Sequence, residues 1–314
     1  MQKIHSVPTI KVSGPQFFLR LLRAKCARYL SKHRSQMGAP RVACFPGDDI
    51  GDALIASGIY EEIHLRTIFD GLLAAEGSRL RSTVAIDVGA NIGNHSLFFS
   101  GRFRRVLAFE PNPVSSRLLE ASRLMNRAEN ISVFPVALGG APSEAELHLA
   151  SPSNLGKAGL LPHLQCSGGQ SFSVSVVVGD DVVAQEIGSD AVGLIKVDVE
   201  GFEVSVLEGL RKTIAAHRPI VLFEYHPALG TGRAFELLEE CGYDDFYAVA
   251  RREFPVKFRA IRSLVRLAFG EEYFVSRIAW KDLRRTVDMV VALPRRAGVT
   301  PRESGLGEGV HVAE

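Results

Sequence analysis

The stretch "VAIDVGANIGNHS", Val84 to Ser96, decides how the rest of the chain reads. A short apolar run carrying one acid, Asp87, ends in a bare pentapeptide, Gly89 to Gly93, and the text turns polar where a helix would begin. In an open parallel sheet, ligands bind outside the carboxyl ends of the strands, beside the loop that follows the first one. Glycine in that loop lets backbone amides approach a ligand with no Cβ in the way. The dinucleotide pattern G-x-G-x-x-G asks for glycine where Asn91 and Asn94 stand, and no Gly-Lys-Ser/Thr follows to make a phosphate loop. An acid before the loop repels phosphate and suits a cation.

The next apolar run supplies a test. A bound ribose needs an acid at the end of the second strand, on the order of 20 residues past the glycines. "RVLAFEP" ends in Glu110 at that place. A nucleoside that carries an ammonium and a sulfonium but no phosphate, S-adenosylmethionine, satisfies both features. On this reading Asp87, Gly89, Asn91, Gly93 and Glu110 hold the cofactor.

From Val84 onward, "VAIDV", "RVLAFEP", "ISVFPVAL", "VGLIKVDVE" and "PIVLFEYHP" alternate with helix-period segments. That alternation predicts an α/β, doubly wound, mostly parallel sheet with helices on both faces. "FYAVA" and "VDMVVALP" complete it, the last as an antiparallel edge strand. The order breaks between Ala137 and Val192, where "AELHLA" and "FSVSVVV" alternate with period two and predict a hairpin. The Gly/Ser/Pro-rich connection across residues 150 to 171 is either a substrate-covering loop or a surface excursion. The acid pairs Asp180-Asp181 and Asp244-Asp245 read as helix caps or turn residues.

"IDVGANIGNHSLFFS", "VLAFEPNP", "VFPVALGG", "NLG", "LIKVDVEGFEVSVLEGL" and "PIVLFEYHP" resemble, in order and wording, the FkbM-type S-adenosylmethionine-dependent methyltransferases. The resemblance covers about residues 47 to 250. It implies a class I methyltransferase (Rossmann-like) fold and O-methylation of a small-molecule or glycan hydroxyl, with S-adenosyl-L-methionine as cofactor. "SGIYEEI" is similar to a Tyr-Glu segment of that family, which implies that Tyr60 and Glu61 lead into the cofactor site. The resemblance also implies that "VALGG" passes the adenine edge through backbone groups of Ala137 and Leu138.

"LIKVDVEGFE" forms a second acidic centre. Period-two alternation places Lys196, Asp198 and Glu200 on one face of a strand whose other face is apolar. Charges inside a central strand are expensive to bury unless paired or functional. A methyl already activated on a sulfonium needs alignment and, for a hydroxyl acceptor, proton removal. Asp198 is the first candidate for base or orienting group, with Glu200, His226 and Glu224 as alternatives; the bland reading ties Asp198 to Lys196. Asp198 also borders the cofactor. No third ligand accompanies Asp198 and Glu200, so no metal is assigned.

The 314 residues, 46% hydrophobic with a net charge of +2, describe a globular protein with no global demand for nucleic acid. Four scattered cysteines, Cys26, Cys44, Cys166 and Cys241, predict neither disulfides nor zinc, hence a reducing, cytoplasmic setting. Three divisions are expected: a basic, partly helical extension over 1–46, a methyltransferase domain over 47–294, and a disordered tail over 295–314. Lys3, Lys11, Arg20, Arg23, Lys25, Arg28, Lys32, Arg34 and Arg41 all precede the first acid, Asp48. "PQFFLRLLRAKCARYLSKHR" is compatible with an amphipathic helix, either a solvated helix packed on the domain, or a membrane-surface anchor making peripheral contact or an organelle presequence. A non-catalytic binding protein recruited through that helix and an NAD-dependent oxidoreductase are the rival readings; the sequence is silent on the acceptor and on oligomeric state.

Overall fold

The computed structural model describes residues 13–36, 38–45, 49–151, 154–159, 171–252 and 270–295. Strands β1 (Val84–Val88), β2 (Arg105–Phe109) and β3 (Ile131–Phe134) open the main sheet. β4 (Ala137–Gly139), β5 (Ser143–Ser151), β6 (Asn154–Gly159) and β7 (Ser171–Val178) form a second one. β8 (Val192–Val197), β9 (Ile220–Tyr225), β10 (Tyr243–Arg251), β11 (Tyr273–Arg277) and β12 (Val287–Pro294) return to the first. The eight-stranded order is β11-β10-β12-β9-β8-β1-β2-β3, and the four-stranded order is β4-β7-β5-β6.

The α/β expectation holds: β3, β2, β1, β8 and β9 are mutually parallel. The chain leaves β1 for β2 on one side and returns through β8 on the other, which makes the β1/β8 boundary the switch point. All five residues of β1 and all six of β8 are buried, as strands covered on both faces must be. Two apolar clusters provide that cover, one built on Ile86, Leu107 and Phe223, the other on Ala85, Phe99 and Leu222. Helix Pro113–Asn126 has a local start signal: the Asn112 side chain accepts from the Val114 amide at 2.9 Å and proline follows as the first helical residue.

Three expectations change. "VDMVVALP" is not the edge: β12 is inserted antiparallel between β9 and β10, and the antiparallel edge is β11, which pairs with β10 alone. Local pattern identifies a strand but not its neighbours, and seven buried or half-buried positions out of eight suit an inner place better than a margin. "AELHLA" and "FSVSVVV" do pair antiparallel, but inside a larger sheet that also takes β4 and β6. Asp244 and Asp245 lie within β10 and pair with Arg295 and Arg277, so they mark no turn. Asp180 does cap, though a different helix: its carboxylate accepts from the Lys212 and Thr213 amides at the start of Arg211–His217.

The expected tail beyond residue 295 and most of the 150–171 connection fall outside the described residues. Helix Gly14–Gln36 is present, and none of its residues is buried. The segment after it is tied to the body before residue 46: the Arg41 amide donates to Asn126 Oδ1 at 2.9 Å, and the Ala43 amide to Ser122 Oγ at 2.9 Å. Among the described residues, no helix is long and apolar enough to cross a membrane.

Candidate active site

The glycines that opened the sequence reading owe their place first to the fold. Gly89 has φ +74°, and a Cβ there would stand 1.8 Å from the Asp198 carbonyl oxygen. Gly93, at φ +94°, begins helix Asn94–Ser100, and its missing Cβ leaves room for Leu119 at 3.0 Å. The loop after β1 is therefore bare because the loop after β8 and the helix after β2 lie against it. Asn91 adopts φ 48° between them.

Glu110 joins that loop to the end of β2. Its Oε2 accepts from the Asn91 amide at 2.7 Å, and its Oε1 accepts from the Asn112 amide at 2.8 Å. It is 7% exposed, and burial pushes its carboxyl up to about 7, against the pull of the two amides and Lys196. Each carboxylate oxygen can accept twice, so one place on each stays free for a ligand hydroxyl. Beside it, Asn91 Oδ1 and Asn112 Nδ2 are shut from solvent and have no hydrogen-bond partner among the described residues.

Asp87 was expected to touch a cationic ligand, and its surroundings oppose that. It is fully buried; its Oδ2 accepts from Ser96 Oγ at 2.6 Å, and its Oδ1 lies 3.3 Å from Lys196 Nζ. Lys196, on β8, also reaches Asp198 Oδ2 at 3.2 Å and donates to the Gly89 carbonyl at 2.9 Å. Burial works against its charge, but Asp198 and Asp87 outweigh that and hold the ammonium above its ordinary range. Asp87 thus acts on the glycine loop through Lys196.

Asp198 begins the loop that leaves β8 and is partly exposed. The turn is tight: Glu200 has φ 52° and Gly201 φ 98°. Glu203 secures it by accepting from the Val199 amide at 3.3 Å and the Gly201 amide at 3.0 Å. Glu203 is itself 1% exposed, and burial raises its carboxyl above the usual range. Glu203 is the first residue of helix Glu203–Gly209 and reaches back over the turn that precedes it, a role sequence reasoning missed.

Across β9 the charges are arranged differently. Burial pushes the Glu224 carboxyl up to about 9, with further increments from Asp198, Glu200, Glu203 and Asp288. Asp288, at the start of β12 and open to solvent on one side, is also raised, by partial burial with Glu61 and Asp198 adding to it. The Tyr60 hydroxyl is raised by burial and then by Glu61, Asp198, Asp288 and Glu224. These residues form one acidic basin at the carboxyl ends of β8 and β9. Sequence reasoning missed Asp288, since a lone acid at a strand start carries no local signal.

Tyr60 and Glu61 are brought there by a clamp. The Tyr60 amide donates to Asn94 Oδ1 at 3.0 Å, and Asn94 Nδ2 donates to the Tyr60 carbonyl at 2.9 Å. His95 Nε2 lies 3.1 Å from Glu61 Oε2, and Glu61 is held at φ 56°. Asn94, read above only as a departure from the dinucleotide pattern, has this positive task.

His226 follows β9, and its backbone is fixed by Thr231: the His226 amide donates to Thr231 Oγ1 at 2.8 Å, and that hydroxyl donates back to the His226 carbonyl at 3.1 Å. Its Nδ1 is shut from solvent without a partner among the described residues. Ala137 is buried in β4, the outer strand of the second sheet, where it registers with Val176. Among the described residues no three His, Cys, Asp or Glu side chains are grouped to hold a metal ion.

A switch-point loop fixed by a buried Lys-Asp pair, an acid at the end of the neighbouring strand and an acidic basin beyond make up the candidate site of an α/β protein. Residues 87–244, half of the chain, match the family model described as the methyltransferase FkbM domain, and the chain belongs to that family of methyltransferases. It is 31% identical over 178 residues to hexuronic acid methyltransferase AglP of Haloferax volcanii, covering 53% of this chain and 70% of that one. It is 28% identical over 189 residues to methyltransferase sdnD of Sordaria araneosa, covering 51% and 73%. A solved FkbM methyltransferase from Methylobacillus flagellatus aligns at 20% identity and a TM-score of 0.38, over 68% of this chain and 44% of that one.

Proposed function

We propose that this methyltransferase moves the methyl group of S-adenosylmethionine to a hydroxyl oxygen of a small molecule or sugar. The observation that carries the reading is Glu110: a buried acid at the end of β2, bonded to the amide of the glycine loop, with acceptor capacity left over. The donor set fits this cofactor. Glu110 suits two ribose hydroxyls, the orphaned Asn91 Oδ1 and Asn112 Nδ2 await polar partners beside it, and an acidic basin suits cations and repels pyrophosphate.

When bound, the cofactor supplies an electrophilic methyl whose leaving group is a neutral thioether. The chain's residues then have three tasks. Glu110, with the amides around Asn91, holds the nucleoside end. Asp198 and Glu224, with Tyr60 and Glu61 clamped above them, surround the positive end. Asp198, fixed by Lys196, accepts a hydrogen bond from the acceptor hydroxyl and aligns its oxygen; His226, with an uncommitted Nδ1, is the second group able to take the proton, and Glu200 borders the same turn.

AglP is named for hexuronic acid. In this chain the groups that raise Glu224 are all acids, which favours an uncharged hydroxyl over a free uronate as acceptor. Incubating the protein with methyl-labelled donor and matched neutral and uronic glycosides, read by mass shift, tests this. Label on a neutral sugar oxygen is expected; label on nitrogen or sulfur acceptors alone would overturn the reaction class.

A further inference from the structure

Helix Gly14–Gln36 has no part in the site just described, and its surface has an unusual composition. Phe17 and Phe18 are 63% and 62% exposed, and Leu19, Leu21, Leu22 and Tyr29 are also open to solvent. Phe17 and Leu21, like Phe18 and Leu22, are four residues apart, so the first two turns present adjoining apolar ridges. Arg20, Arg23, Lys25, Arg28, Lys32 and Arg34 share the helix, and it contains no acid. Only Leu30 and Arg34 are partly shielded. Arg34 marks the attachment: its Nη2 donates to the Pro40 carbonyl at 3.4 Å, and its own carbonyl accepts from the Ala39 amide at 3.2 Å. Among the described residues, the turns bearing the two phenylalanines have no such tether.

We propose that this helix docks the protein on an anionic lipid surface, lying in the plane of the headgroups. Phe17, Phe18, Leu21 and Leu22 enter the headgroup–acyl boundary. Six cations meet the negative leaflet, their aliphatic stems lying along the apolar zone. The helix cannot span the bilayer. Charge decides between occupants: a second copy would set six cations against six with no acid on either helix, whereas an anionic leaflet neutralises them all. Apolar ridges without an acid also disfavour a purely polar partner. The inference is independent of the methyl donor.

The test is vesicle co-sedimentation of the full chain. Phosphatidylcholine vesicles and vesicles containing about one third phosphatidylglycerol are compared at about 0.1 M and about 0.5 M salt. The account expects at least about tenfold tighter binding to the anionic vesicles, weakened at high salt. The paired variant Phe17→Asp/Phe18→Asp and the paired variant Arg20→Glu/Arg23→Glu should each lose at least about tenfold. Both variants should keep the wild-type melting temperature, which separates lost docking from lost folding. Equal affinity for both vesicle types, or binding that survives both variants, would overturn the proposal. So would a concentration-dependent dimer abolished by Phe17→Asp/Phe18→Asp, which would assign the ridges to a second copy.

Discussion

The carboxyl ends of β1 and β2 gather acids, as do the carboxyl end of β9 and the start of the antiparallel β12 beside it, and the two places treat the charge in opposite ways. At β1, Asp87 is fully buried but answered by Lys196 and the Ser96 hydroxyl; at β2, Glu110 is held by two backbone amides. At β9 and β12, Glu224 and Asp288 sit among Asp198, Glu200 and Glu61, and the first of them is raised to about 9. Acids answered by the chain's own donors form a finished receptor for neutral polar groups. Acids that face one another retain protons or await a cation. On the proposed reading, a nucleoside with a positive tail meets both conditions along one line of the sheet.

The sharpest way to break the comparison is to remove its hub. Lys196→Met leaves Asp87 buried without a counter-charge, and unfolding by denaturant should show a loss of about 3–5 kcal/mol. A loss under about 1 kcal/mol would mean the two halves are not joined through that ammonium. Asp198→Asn keeps the turn but weakens its acceptor: kcat should fall about a hundredfold or more while affinity for S-adenosylhomocysteine changes little. The reverse pattern would move Asp198 from the reacting end to the nucleoside.

The holding half is addressed by Glu110. Glu110→Ala should weaken S-adenosylhomocysteine binding at least about tenfold. Its pH behaviour is a finer probe. The carboxyl stands at about 7 in the folded chain against 4.5 ordinarily. The folded state therefore binds this proton more tightly than the unfolded chain does. The stability it contributes is complete below the lower value and lost as pH rises to the upper one. The ionised form is the better acceptor of hydroxyl protons, so nucleoside affinity should rise across the same window and flatten above about 7. Glu110→Gln should abolish that slope; a slope that persists belongs to another group. The smallest effect is expected from Asn94→Ala, which frees the Tyr60 backbone: KM for the donor should rise a few-fold, with about 1–2 kcal/mol lost in stability. An unchanged KM would show that the clamp serves packing alone.

What was legible in the sequence follows from what is local. "VAIDVGANIG" and "RVLAFEP" were readable because a strand and the turn or acid that ends it lie within a dozen residues, each with its own chemistry. Even so, the glycines were credited to a ligand when Asp198 and Leu119 already require them. Asp87 looked like a ligand contact because its partner Lys196 is far off in the chain. The same distance hid the Asn94–Tyr60 and His95–Glu61 clamp, 34 residues apart in each case. The place of β12 was lost for a related reason: alternation says how a strand is covered, not which strands flank it. Asp288 was hidden because its meaning lies wholly in the acids that other strands bring to it.

The most direct measurement is a calorimetric titration of the full chain with S-adenosylhomocysteine, run beside Glu110→Ala and beside NAD. The account predicts saturable binding of one nucleoside per chain, at least about tenfold weaker in the variant, and no heat from the dinucleotide. Heat from NAD with none from S-adenosylhomocysteine, or equal affinity in wild type and Glu110→Ala, would contradict it.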